Sequence, residues 1–122
     1  MDWIALLNML IALASIGFGA AGWLAPAWTM RTVGLSDDGS TMGMSEVRAA
    51  SGALFVIAGI GALLLGSPAA YAMLGFVWLG GGLGRVTSLI LDGTTTRKWG
   101  FFATELVIGS LGVAMNIGAV GA

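Results

Sequence analysis

The chain has neither cysteine nor histidine. Without cysteine it can form no disulfide, carry out no thiol chemistry and hold no iron–sulfur cluster. Without histidine it lacks the usual ligand of haem, zinc and copper. No metal and no resident cofactor are therefore expected. Seven methionines are present, and with no histidine or cysteine beside them they read as flexible apolar packing rather than a soft-metal site. Charge is scarce as well. Asp, Glu, Lys and Arg make up 9% of the chain and the net charge is −1, which argues against nucleic acid as a partner.

What fills the space is apolar: 57% of the 122 residues are hydrophobic. So small a protein could not cover that surface with so few charges in water, whereas in a bilayer the same surface meets lipid. Four apolar spans stand out, at about 3–25, 44–66, 69–91 and 99–120, each close to the roughly 20 residues needed to cross the hydrocarbon core. The first opens Met1-Asp2-Trp3, without the positive n-region of a secretory signal, and is read as a retained helix. The expected fold is all-α: one integral membrane domain, an antiparallel bundle of four transmembrane helices.

The connections differ in length and charge. Gly66-Ser67-Pro68 is a tight hairpin between the second and third spans. The first connection, 26–43, mixes Trp28, Met30, Arg31 and Val33 in a way that suits a segment lying at the membrane interface. Arg31, Arg48, Arg85, Arg97 and Lys98 all lie in or beside the first and third connections. The positive-inside rule then makes 26–43 and 92–98 cytoplasmic and puts both termini outside, in a bacterial inner (plasma) membrane. Trp3, Trp23, Trp28 and Trp99 sit at span ends as an aromatic belt would place them, with Trp78 the exception in mid-span.

Lipid supplies little hydrophobic drive between helices, so small residues that admit close backbone approach are the expected contacts. On the first span Asn8, Ala12, Ser15, Gly19 and Gly22 share a face, and on the fourth so do Glu105, Gly109, Gly112 and Asn116. The third carries a small-xxx-small pair at Gly80 and Gly84. Asn8 and Asn116, both near the outer ends, are expected to hydrogen-bond to each other.

The polar residues that merit a functional reading are Glu46, Arg48, Arg85, Ser88, Asp92 and Glu105, with Trp78 on the same face as Arg85. Arg85 and Glu105 lie at matching depth on successive spans, each roughly 9 Å inside at 1.5 Å per residue. A lone charge at the bilayer centre costs about 2.5–3.5 kcal/mol on insertion scales, so these two should pair or meet Glu46. Glu46 and Arg48 are about 200° apart around a helix, and spacing does not choose which points inward. A structural ion-pair network is one reading. The other is a small pocket in which Arg85 holds an anionic or polar head group over an apolar floor formed by Trp78.

The run Ser45-Glu46-Val47-Arg48-Ala49-Ala50-Ser51-Gly52, the run Gly82-Leu83-Gly84-Arg85-Val86-Thr87-Ser88-Leu89-Ile90-Leu91-Asp92-Gly93, and Glu105-Leu106 together resemble a bacterial domain-of-unknown-function family of small four-helix membrane proteins near the DoxX-like group. The resemblance spans nearly the whole chain, with Leu24-Ala25-Pro26 included, and departs from the pattern at Ala50-Ser51. It implies the architecture and the charged positions, and supplies no reaction. DoxX-like proteins include partners of quinone-using membrane redox enzymes, which by analogy favours an accessory role.

The leading expectation is thus a non-catalytic accessory or assembly subunit of a larger membrane complex, in contact with membrane lipids and with other membrane-protein subunits or copies of itself. The alternative is a small lipid- or quinone-binding protein, or a small transporter, that uses the Arg/carboxylate cluster. No residue is assigned a catalytic role: no Ser/His/Asp set, phosphate loop or metal-ligand spacing is present.

Overall fold

The computed structural model describes residues 2–121. It is all-helical, with no strand among the described residues. Five helices follow one another: α1 (Trp3–Leu24), α2 (Pro26–Val33), α3 (Met42–Leu65), α4 (Pro68–Leu91) and α5 (Thr96–Asn116), the last continued by a 3-10 turn, Ile117–Ala119. All but α2 are long and apolar enough to cross a membrane. By length and composition the chain is a membrane protein.

Each boundary has a local cause. Pro26 takes the first position of α2, where its missing N–H costs nothing, and this stops α1 at Leu24. Gly34 ends α2 at φ 86°, in a left-handed conformation that only glycine adopts without strain, and its N–H returns to the Met30 carbonyl. Gly66, at φ 62°, breaks the chain after α3. Ser67 then caps α4 by accepting the Ala70 N–H at 3.2 Å, with Pro68 following. Thr95 caps α5 through the Lys98 N–H at 3.1 Å, so α5 starts three residues earlier than hydropathy alone suggests. The segment 26–43 holds one short amphipathic helix, in which Met30 is buried and Trp28 exposed, and then a loop.

Of the described residues, Met9–Leu64 form one compact unit, and those up to Asn8 together with those from Leu65 onward form another. In the first unit α1 and α3 approach through glycine. A Cβ added at Gly19 would meet the Gly52 carbonyl oxygen at 2.6 Å, one at Gly22 the Ser51 carbonyl oxygen at 2.8 Å, and one at Gly59 the Ala12 carbonyl oxygen at 2.7 Å. Residue numbers fall on one helix as they rise on the other. The stripe expected on α1 is the buried one: Asn8, Ala12, Ser15, Gly19 and Gly22 are all buried. Next to it α3 opens into a π-helical turn, Ala49–Ala53, where the Leu54 N–H reaches back to the Ala49 carbonyl.

In the second unit α4 and α5 form a hairpin of similar intimacy. A Cβ at Gly75 would meet the Val113 nitrogen at 2.7 Å and the Gly109 oxygen at 2.9 Å, and one at Gly109 would meet the Leu79 nitrogen at 2.8 Å. Contacts that short leave no room for any side chain, so the backbones themselves touch. Gly80 and Gly84 do not take part. Nothing lies within 4 Å of a Cβ at either position, and the reason is angular: the hairpin uses the face of Gly75, Leu79 and Gly82, which leaves the expected small-xxx-small pair on the opposite, exposed side.

Candidate intramembrane polar site

Three charged side chains anticipated for the site take up defined structural roles. Arg85, six residues before the end of α4, donates from Nε to Glu105 Oε1 on α5 at 3.0 Å. The pair is unequal in burial, with the Arg85 side chain 37% exposed and that of Glu105 12%. Two neighbours fix its geometry. The Phe101 ring lies under the guanidinium, 5.1 Å from centroid to Cζ, and Phe101 is one turn before Glu105 on the same helix, so the i, i+4 spacing presents aromatic and carboxylate together. Gly81 supplies the space: a Cβ there would stand 2.5 Å from Glu105 Oε2. The glycine run of α4 therefore serves two ends, with Gly75 and Gly82 packing against α5 and Gly81 clearing a berth for the carboxylate.

Arg48 acts elsewhere. Its Nη1 donates to the Trp23 carbonyl at 2.8 Å, meeting one of the orphan acceptors at the C-terminal end of α1, where the helix dipole also favours a cation. Glu46 and Arg48 are both exposed, and it is Val47 between them that is buried. Thus neither of the two takes the inward position that spacing had left open. Among the described residues Glu46 joins no ion pair, the Arg85–Glu105 pair being the one found. Asp92 is exposed at the C-cap of α4, its N–H bonded to the Ser88 carbonyl at 2.8 Å. Trp78 is buried in α4, at 7% exposure.

The asparagines form the bond expected of them. Asn8 Nδ2 donates to Asn116 Oδ1 at 2.9 Å, and Asn116 Nδ2 returns the bond to Asn8 Oδ1 at 2.8 Å while also reaching the Gly112 carbonyl at 2.7 Å. Both residues are buried, at 6% and 2% exposure. A reciprocal amide pair satisfies both side chains, which is what an apolar surrounding demands. No buried side-chain nitrogen or oxygen among the described residues lacks a partner.

Sequence reasoning did not single out Phe101 or Gly81. The first was legible in principle from its i, i+4 relation to Glu105. The second depends on which face of α4 meets α5. A shallow, open apolar depression lined by Ala49, Ala50, Ala53, Leu54 and Ile57 also went unanticipated. It lies along the π-helical turn, at the place where Ala50-Ser51 departs from the expected pattern. No group of three or more acidic residues suited to a metal occurs among the described residues.

These features define a class: an all-helical membrane protein whose helices touch through glycine and whose intramembrane charge is held as an Arg–Glu pair. Residues 4–116 match the family described as Domain of unknown function (DUF4345), and the chain belongs to that family. No curated protein and no solved structure matches it.

Proposed function

We propose that the chain is a non-catalytic accessory or assembly subunit of a larger complex in the bacterial inner membrane. In this reading its helices run antiparallel, segments 26–43 and 92–98 face the cytoplasm and both termini lie outside. The observation that carries the proposal is the pair Gly80 and Gly84, one turn apart in the middle of α4, with open space where a side chain would be. Met73, Phe76, Leu83 and Thr87 continue the same exposed side. A glycine pair on a membrane helix gains little from lipid, and it lets the backbone of another helix come close. The Arg85–Glu105 pair fits the same reading, since it links α4 to α5 and holds the hairpin in register.

A photo-crosslinking residue in place of Leu83, activated in the native membrane, tests this. One discrete adduct to another membrane protein, lost in G80L/G84L while the purified variant keeps its helix content and melting temperature, is the expected result. Adducts to lipid alone, or an adduct indifferent to both substitutions, would sink the proposal.

A further inference from the structure

The Arg85–Glu105 pair is lopsided. Its carboxylate is the covered member and its guanidinium the open one, so the pair presents a positive end to the surroundings even though its charges cancel. Only Nε of Arg85 is used by Glu105, and Nη1 and Nη2 donate no hydrogen bond to any described residue. The guanidinium is nevertheless held in place, by the Nε bond on one edge and the Phe101 ring on one face. A planar fork of N–H groups fixed in this way suits the paired oxygens of a phosphate.

Its level in the protein narrows the source. Arg85 stands six residues, roughly 9 Å, inside the end of α4, within reach of the head-group layer for a long side chain that extends toward water. A second cation lies on α5, nearer the connected end of the hairpin. Arg97, exposed, is one turn before Phe101 on α5. Lys98 is already engaged with the Gly93 carbonyl at 2.9 Å. Phe101 sits between the two levels, one turn inside Arg97 and one turn before Glu105 on α5, and the apolar helix surface further in is where acyl chains would run.

We infer that Arg85, with Arg97 one level above, binds the phosphodiester of a membrane phospholipid against the α4–α5 hairpin. The site is independent of the Gly80/Gly84 face, and the Leu83 crosslink reports on that face alone, so either proposal can fail without the other.

The test is native mass spectrometry of the detergent-purified full chain offered phosphatidylglycerol or the diacylglycerol with the same acyl chains. Wild type should retain the phospholipid about tenfold better, in line with one basic group near the membrane surface and a second, partly neutralised one further in. R85Q/E105Q removes both charges together, leaves no carboxylate unpaired and should abolish the preference, and R97Q should reduce it in part. E105Q alone keeps the arginine and should keep the preference, which guards against misfolding of the double variant. Resistance of the bound lipid to millimolar inorganic phosphate supports the lipid head group as the ligand, and its displacement would assign the site to free phosphate and overturn the lipid assignment. Equal retention of the two lipids by wild type, an undiminished preference in R85Q/E105Q, or its loss in E105Q would overturn the assignment.

Discussion

Arg85 and Glu105 are worth more as a pair than as individuals. Removing the arginine alone leaves a mostly covered carboxylate without its counter-charge, so R85Q should destabilise the protein by about 1–3 kcal/mol, less than a fully buried pair because Arg85 is over a third exposed. R85Q/E105Q should recover most of that loss; thermal unfolding in one detergent measures both. The asparagine pair is a cleaner case, since both partners are buried and neutral. A double-mutant cycle on N8A and N116A should return a coupling of about 0.6 kcal/mol, with roughly 1.7 as the upper bound for membrane hydrogen bonds. Outside the spans, the Ser40 hydroxyl and backbone N–H hold the Asp38 carboxyl below its ordinary value. The ionised form is thus the one the folded loop favours. Its small contribution is present above the unfolded-state value and disappears as pH falls through the lowered one. Ser40→Ala should bring the Asp38 titration, followed by NMR, back up toward 3.8.

At the scale of the helix, glycines of one sequence type divide into two physical kinds. Gly75 would place a Cβ 2.7–2.9 Å from backbone atoms of α5 that cannot move aside alone. G75A should therefore push the hairpin apart at about 1–3 kcal/mol, the usual cost of overpacking. Gly80 and Gly84 have open space around them. Alanine there should leave the isolated protein unchanged or raise its stability by up to about 1 kcal/mol per site through helix propensity. Melting temperatures of G75A and G80A in one detergent would separate the two kinds, and equal destabilisation would refute the division. Gly81 lies between them, because the atom its Cβ would meet is the mobile end of Glu105. The stripes on α1 and α5 were legible in the sequence because on each helix a buried asparagine shares its face with two glycines. On α4 glycine occurs on several faces at once, so spacing favoured Gly80 and Gly84 while the hairpin used Gly75 and Gly82. The π-helical turn at Ala49–Ala53 had no sequence signal of its own: Gly52 must meet the backbone of Trp23, and a widened turn accommodates that.

For the whole molecule, the absence of cysteine makes topology straightforward to test. Single cysteines at Ser36, Thr94 and Ala119, all exposed, should label in intact cells in two classes. Ala119 should react with an impermeant maleimide from outside, and Ser36 and Thr94 only after the membrane is opened; the reverse pattern would overturn the proposed orientation. The sequence by itself determined that the chain is helical and built for lipid, since four runs of about 20 apolar residues with so little charge have no other stable arrangement. It also narrowed the partner of Arg85 to Glu105 or Glu46, because opposite charges at similar depth have an energetic reason to meet, and the structure pairs it with Glu105. Only the tertiary structure decided which face of α4 turns to α5, that Arg48 closes the end of α1, and that the guanidinium rather than the carboxylate is the open member of the pair. Those outcomes depend on how closely glycine backbones approach and how one helix is rotated against its neighbour, which no linear spacing of residues encodes.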